Sequence, residues 1–156
     1  LAEVLRKLIL SNKSNINNIE EILLLMAARS NHINNVILPN LRKGKIVISD
    51  RFADSTFVYQ GFVNKFNIQK LKKLHFDILN NFYPDLTFVF NLSIKEIINR
   101  IKKRKNKNKY DKTNINFHNK VIEGYKKISK SKRFVNLDAS LSKSIIHNNI
   151  LKSLKL

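Results

Sequence analysis

The sequence predicts an α/β fold in which helices pack on a parallel β-sheet. Three short runs have the composition of buried strands: residues 45–49 (KIVIS), 85–91 (DLTFVFN) and 134–138 (FVNLD). Segments with helical spacing of their apolar residues alternate with these runs, and such alternation is typical of βαβ units. Three strands make a thin sheet, and the chain starts at Leu1 rather than Met, so we expect that an N-terminal part is missing.

Two helices are predicted before the first strand. Residues 1–10 (LAEVLRKLIL) have apolar side chains at helical spacing, and an Asn-rich loop follows at 11–18. A longer helix is predicted over 19–41, and its last turn should kink or stop at Pro39, which has no N–H to donate. Gly44 then turns the chain into the first strand.

Helices also separate the three predicted strands and close the chain. Residues 54–60 and 67–81 should be helical, with the second helix stopping before Pro84. The remaining predicted helices cover residues 94–104, 115–130 and 142–156. The order of elements is therefore that of βαβ units, and the absence of a Pro- or Ser-rich linker predicts a single domain over 1–156.

Composition excludes several classes of protein. The three glycines, Gly44, Gly61 and Gly124, lie too far apart to form a GxGxxG or GxxxxGK[ST] phosphate loop. The chain has no cysteine, which excludes disulfides, thiol catalysis and Cys-ligated zinc. The longest apolar run, 22–28, is far shorter than the roughly 18 residues of a membrane span. We therefore expect a cytoplasmic protein with no membrane partner.

The charge of the chain favours anionic partners. Lys and Arg number 30 against 11 Asp and Glu, which gives a net charge of +19. Such a balance suits nucleic acid, anionic lipid or phosphorylated small molecules, although lysines on solvated faces also contribute to it. The most basic segment, 102–112 (KKRKNKNKYDK), is either a solvated loop or a mobile lid that binds anions.

The segment 46–61 (IVISDRFADSTFVYQG) carries the most chemical information. Asp50 and Arg51 follow the first predicted strand directly, and ligands of open α/β sheets bind at the carboxyl ends of strands. Arg51 could bind a phosphate through two hydrogen bonds, and Asp50 could hold a metal-bound water or orient a donor group. The alternative is a structural ion pair that ties the strand to a helix.

This segment resembles the DR(Y/H/F)xDSxxxYQG signature of the thymidylate kinases, P-loop enzymes that phosphorylate dTMP. Further stretches resemble the same family in the family's order: residues 1–10 (LAEVLRKLIL), 22–32 (ILLLMAARSNH), 83–86 (YPDL), 117–125 (FHNKVIEGY) and 133–140 (RFVNLDAS). The resemblance implies a P-loop nucleoside monophosphate kinase fold, a three-layer parallel sheet with helices on both faces, incomplete at the N-terminus. It also implies a basic lid at about 102–114.

The resemblance further implies phosphoryl transfer from ATP to dTMP, giving dTDP and ADP on the route to dTTP. The implied cofactor is Mg²⁺ with ATP as co-substrate. The implied assembly is a homodimer formed through helices, and apolar faces on 1–10 or 67–81 would be compatible with it.

The resemblance also implies roles for individual residues. Asp50 and Arg51 are the expected catalytic residues, and no metal ligand is expected apart from a water-mediated contact of Asp50. The expected substrate-binding residues are Arg6, Leu25, Arg29, Arg51, Thr56, Tyr59 and Gln60. The expected ATP and lid residues are Arg100, Arg104, Lys109, Asp138, Ala139 and Ser140.

The sequence departs from the family pattern at three points. The phosphate-binding loop is missing and is expected upstream of residue 1, so residues 1–156 alone should neither fold stably nor catalyse. Leu25 stands where the family usually has a phenylalanine that stacks on thymine, a contact of order 1 kcal/mol. Lys109 replaces the usual lid arginine, which keeps the charge but loses the planar fork.

Three alternatives remain open. A basic nucleic-acid-binding module would explain the charge, although Tyr110 is the only aromatic residue within 102–112 and no known motif appears there. Another nucleoside monophosphate or deoxynucleoside kinase would share most of the site, and Leu25 weakens the case for thymine. A decayed, non-catalytic remnant would explain the missing loop.

Overall fold

The computed structural model describes residues 1–11 and 15–154. The chain is divided into two compact units. The first unit comprises Leu1–Tyr83 with Asn108–Tyr110, and the second comprises Pro84–Lys107 with Asp111–Leu156. The single domain inferred from the sequence stays a prediction, and each unit is described by itself.

The first unit begins with two helices. Helix α1 covers Ala2–Leu10, and helix α2 covers Asn18–His32. Asn17 caps α2, because its side-chain oxygen accepts from the N–H groups of Ile19 and Glu20 while Glu20 accepts from the N–H of Asn17. Both predicted helices are confirmed at their N-terminal ends to within two residues.

The long predicted helix does not stop at Pro39. After α2 the chain continues through a π-helical stretch, Ile33–Ile37, into helix α3, Leu38–Leu41. The N–H of Leu38 donates to the carbonyl of Ile33, a wider turn than that of an α-helix. The departure from α geometry therefore lies before the proline, and Pro39 occupies the first turn of α3, where a missing N–H costs little.

The first predicted strand, residues 45–49, is not a strand in this structure. The segment has no regular secondary structure, and Ile46 and Ile48 are 86% and 93% exposed. A strand requires a hydrogen-bonded neighbour, and no neighbour pairs with this segment among residues 1–11 and 15–154. Only Val47 of its apolar residues packs against the core of the first unit.

The rest of the first unit is helical. Helix α4, Ala53–Thr56, runs into a π-helical stretch, Phe57–Val63, so the predicted helix at 54–60 is confirmed and is longer at both ends. Helix α5 covers Ile68–Leu79, within the predicted 67–81. The buried apolar core of this unit comprises Ile22, Met26, Ile33, Ile37, Ala53, Phe57, Leu71 and Leu79.

The second unit contains a parallel sheet. Strands β1, Thr87–Asn91, and β2, Phe134–Asp138, pair in parallel with Thr87 opposite Phe134. The helices are α6 (Ile94–Lys103), α7 (Ile115–Ile128) and α8 (Lys143–Leu154). The predicted α/β class and parallel pairing are confirmed, with two strands instead of three in the described part of the chain.

No helix among residues 1–11 and 15–154 is long and apolar enough to cross a membrane.

Candidate functional site

Asp50 and Arg51 lie at the surface just before α4. Arg51 has a φ of +66°, a left-handed backbone conformation that costs a non-glycine residue on the order of 1 kcal/mol. The hydroxyl of Ser49 donates to the carbonyl of Arg51 at 3.2 Å. The guanidinium carbon of Arg51 lies 5.1 Å from the centre of the Tyr59 ring, a cation–π contact. Two of the expected site residues, Arg51 and Tyr59, are thus together.

Arg29 projects from α2 into the first unit. Its Nη2 donates to the Thr56 hydroxyl at 2.9 Å and to the Phe52 carbonyl at 3.3 Å. Its Nη1 is buried and has no hydrogen-bond partner among the described residues. Burial lowers the pKa of Arg29 to about 10 and the Asp54 carboxylate opposes this shift, so the guanidinium is still charged at neutral pH.

Gln60 lies within a second group of polar residues. Its Nε2 donates to Oε1 of Glu21 at 2.9 Å and lies 3.4 Å from the Tyr110 hydroxyl. The Tyr110 hydroxyl also donates to Oε1 of Glu21, and Nζ of Lys109 lies 2.7 Å from Oε2 of Glu21. We call these four residues, Glu21, Gln60, Lys109 and Tyr110, the Glu21 cluster.

The Glu21 cluster adjoins the aromatic part of the site. The rings of Tyr59 and Tyr110 meet edge to face, with centroids 5.1 Å apart. Burial raises the pKa of Tyr110, and the hydrogen bond to the Glu21 carboxylate raises it further, because both favour the neutral phenol. The phenol therefore stays protonated as a donor throughout the physiological pH range.

Sequence reasoning missed Glu21, which is only 4% exposed. It lies four residues before Leu25 and eight before Arg29, so the three share one face of α2. Its neighbour Glu20 is exposed and completes the helix cap. A carboxylate on the face that carries Arg29 was the signal that could have identified Glu21 from the sequence.

Two further expected substrate-binding residues, Arg6 and Leu25, lie on α1 and α2. Arg6 is exposed on α1, and its Nη1 lies 3.9 Å from a carboxylate oxygen of Glu3 one turn away. Leu25 is half-buried on α2 between Glu21 and Arg29. The substrate contacts expected of Arg6 and Leu25 stay predictions.

The second unit holds the remaining expected residues, apart from Lys109. Nη2 of Arg100 donates to the carbonyl of Ala139 at 2.8 Å. Asp138 accepts from the hydroxyl of Ser140 at 2.6 Å and from its N–H at 2.9 Å, and these hydrogen bonds lower the pKa of Asp138. The turn after β2 is thereby joined to α6.

Arg104 is paired within the basic segment. Its Nη1 lies 2.8 Å and 2.9 Å from the two carboxylate oxygens of Asp111, across the predicted lid. Lys109, by contrast, belongs to the first unit and pairs with Glu21. The predicted contacts of Arg104 and Lys109 with ATP stay predictions.

The described residues build no metal centre. In the ranges 1–11 and 15–154 there is no group of three or more His, Cys, Asp or Glu side chains that could hold a metal ion. Asp50 is a single exposed carboxylate, whereas a protein-bound Mg²⁺ typically needs further carboxylates or phosphates beside its waters.

Comparison with known proteins gives one consistent result. The thymidylate kinase family model matches residues 1–150. The chain is 38% identical to the thymidylate kinase of Mycoplasmopsis pulmonis (strain UAB CTIP), over 98% of this chain and 68% of that protein. It is 42% identical to the thymidylate kinase of Wolbachia pipientis wMel, over 82% of this chain and 62% of that protein. It is 40% identical to the thymidylate kinase of Prochlorococcus marinus (strain MIT 9312), over 99% of this chain and 73% of that protein. The matches thus span between 62% and 73% of the length of these relatives.

Proposed function

The chain belongs to the thymidylate kinase family, and from this premise we propose that the complete protein in which it occurs transfers a phosphoryl group from ATP to dTMP. The products are dTDP and ADP. The fold of this family is the P-loop nucleoside monophosphate kinase type, and the parallel sheet of the second unit is consistent with part of that fold.

The observation that carries the proposal is the buried Nη1 of Arg29 without a hydrogen-bond partner in the described structure. A buried donor left unpaired costs about 1–3 kcal/mol, so such a group is a natural place for an acceptor from a ligand. We assign that acceptor to a carbonyl oxygen of the thymine ring. The bonds from Nη2 to Thr56 and Phe52 hold the guanidinium in one orientation and leave Nη1 for the base.

Arg51 is suited to the phosphate of dTMP. It is exposed, positively charged and held beside the Tyr59 ring. Phosphoryl transfer depends mainly on positioning and on stabilisation of negative charge, which a guanidinium supplies through paired hydrogen bonds. We propose that Arg51 binds the acceptor phosphate, that Asp50 orients a donor group beside it, and that Tyr59 packs against the sugar.

The ATP side of the reaction is assigned to the second unit. We propose that Asp138, Ala139 and Ser140 contact the adenine, with Arg100 holding the Ala139 carbonyl in place. ATP enters as its Mg²⁺ complex, in which the ion would neutralise charge on the phosphates. The chain's described residues do not fit a Mg²⁺ site of their own.

We also propose a homodimer and a cytoplasmic location. Exposed apolar side chains lie on α1, with Leu1 just before it, and on α5; the residues are Leu1, Val4, Leu8, Phe76 and Ile78. Faces of this kind on the surface of one chain suit contacts with a second copy.

The alternative within the same class is phosphorylation of another nucleoside monophosphate. Leu25 favours it to some degree, because an aliphatic side chain packs on a base without aromatic stacking. A kinase for another base would be expected to prefer that nucleotide over dTMP in direct competition.

The test is a substrate panel on the complete protein. We expect ADP formation with dTMP to exceed that with dUMP, UMP and AMP, and we expect no retention of duplex or single-stranded DNA on filters at physiological salt. A protein that turns over UMP or AMP in preference to dTMP would contradict the assignment. Strong DNA retention without kinase activity would favour the nucleic-acid-binding alternative.

A further inference from the structure

We propose that Glu21 is a positioning residue. Its carboxylate binds the Lys109–Tyr110 segment and the π-helical stretch that carries Gln60 and Tyr59 to helix α2, and so fixes these side chains for the nucleotide. The proposal rests on the proposed function for its kinetic consequence. The geometry on which it depends is a property of the first unit alone.

The carboxylate of Glu21 collects three donors from distant parts of the chain. Oε1 accepts from Gln60 and from the Tyr110 hydroxyl, and Oε2 accepts from Nζ of Lys109 at 2.7 Å. The partners lie 39, 88 and 89 residues away in sequence. An ionised carboxylate has about four acceptor positions and no donor, so it can serve all three groups at once.

This arrangement determines how Gln60 is oriented. The side chain is only 2% exposed, and its amide group must turn either nitrogen or oxygen toward Glu21. Because a carboxylate only accepts, the nitrogen must face Glu21 and the oxygen must point away from it. A neutral amide at position 21 would accept or donate equally well and would remove this preference.

The same carboxylate binds two residues within the predicted lid. Lys109 and Tyr110 are the residues of segment 102–112 that, with Asn108, belong to the first unit. The side chain of Glu21 is 6% exposed and that of Lys109 is 26% exposed, so the ion pair is largely shielded from water. The charge of Lys109 is thus paired with the Glu21 carboxylate.

A chain of contacts leads from Glu21 to the proposed phosphate-binding residue. Tyr110 meets the Tyr59 ring edge to face, and the guanidinium carbon of Arg51 lies 5.1 Å from the centre of the Tyr59 ring. Loss of the Glu21 carboxylate should therefore release Tyr110 first and loosen Tyr59 and Arg51 through it. The expected consequence is weaker dTMP binding with the chemical step largely retained.

The kinetic test compares Glu21→Gln with Glu20→Gln in the complete protein. We expect Glu21→Gln to raise the KM for dTMP about tenfold with kcat changed less than about threefold, because binding rather than chemistry is affected. Glu20→Gln is the matched control, since a glutamine can still complete the helix cap and Glu20 is exposed. Lys109→Met, which removes one donor to the Glu21 carboxylate, should also raise the KM for dTMP.

A spectroscopic test separates positioning from simple loss of fold. Burial, Glu21 and Tyr59 raise the pKa of Tyr110 while Gln60 lowers it, so Tyr110 should titrate after exposed tyrosines in the ultraviolet absorbance of tyrosinate. Tyr110→Phe identifies its step by removing it. In Glu21→Gln that step should move to lower pH, and in Glu20→Gln it should stay.

The outcomes discriminate between the two proposals. Glu21→Gln with an unchanged KM for dTMP, or with an unchanged Tyr110 titration, would overturn the positioning role. A fall in kcat together with a fall in thermal stability, with no rise in the KM for dTMP, would also overturn it and indicate a purely structural role. If Glu21→Gln does not fold, Lys109→Met and Tyr110→Phe each remove one donor, and an unchanged KM in both would overturn the proposal. Absence of any dTMP-dependent ADP formation in the unaltered protein would refute the proposed function, and the Tyr110 titration would still decide the role of Glu21.

Discussion

Replacement of Arg29 by lysine tests the proposed base contact most directly. A lysine keeps the positive charge but has a single nitrogen instead of the planar fork, so its donors cannot occupy the positions of both Nη1 and Nη2. In the free protein, loss of the two Nη2 bonds is offset by removal of the buried Nη1, which has no partner in the part of the chain that the structure describes. We therefore expect the free energy of unfolding to change by no more than about 1–2 kcal/mol.

The effect on nucleotide binding should be much larger than the effect on stability. A hydrogen bond from a charged donor contributes about 1.5–3 kcal/mol, so loss of the Nη1 contact should weaken dTMP binding by roughly thirtyfold. The assay is titration calorimetry with dTMP alongside thermal unfolding, on the complete protein. Arg42→Lys is the control, because Arg42 is exposed at the end of α3. An Arg29→Lys protein that binds dTMP as tightly as the unaltered one would refute the assignment of Nη1 to the base.

Three further predictions concern packing and titration. Gly61→Ala should lower the free energy of unfolding by about 1–3 kcal/mol in chemical denaturation, since the added methyl group would overlap the Ile68 side chain, and Ile68→Val should recover part of that loss. Ser140→Ala should raise the pKa of Asp138 toward the ordinary value of an aspartate, because the Ser140 hydroxyl donates to the carboxylate. An unchanged pKa in an NMR titration would contradict this. Because its pKa is raised, the neutral Tyr110 phenol contributes its full stabilisation below the ordinary pKa of 10.0 and less as the pH rises above that value. Tyr110→Phe should therefore make the free energy of unfolding fall less steeply at alkaline pH. Parallel curves of unfolding free energy against pH for the two proteins would refute the assignment.

The helices were predictable because their signals are local. Each signal lies within a few residues of the element that it defines: the spacing of apolar residues, the cap at Asn17 and the turn at Gly44. The two paired strands were predictable for the same reason, since their short β-branched and aromatic runs are followed at once by turns.

Residues 45–49 show where local signals are insufficient. Their composition is that of a buried strand, yet Ile46 and Ile48 are almost fully exposed. A strand exists only when a neighbouring strand satisfies its N–H and C=O groups, and none of the residues that the structure describes does so. Composition therefore predicted a tendency, and strand formation depended on a partner elsewhere.

The sequence by itself determined the family, the α/β class and most residues of the candidate site, because motif order and residue type are written along the chain. Only the tertiary structure decided that Nη1 of Arg29 is buried without a partner among residues 1–11 and 15–154, and that the Glu21 carboxylate accepts from Gln60, Lys109 and Tyr110. These groups come from segments up to 89 residues apart. Which donor meets which acceptor is set by how the helices pack and by the cost of burying a charge unpaired, and neither quantity can be read from neighbouring residues.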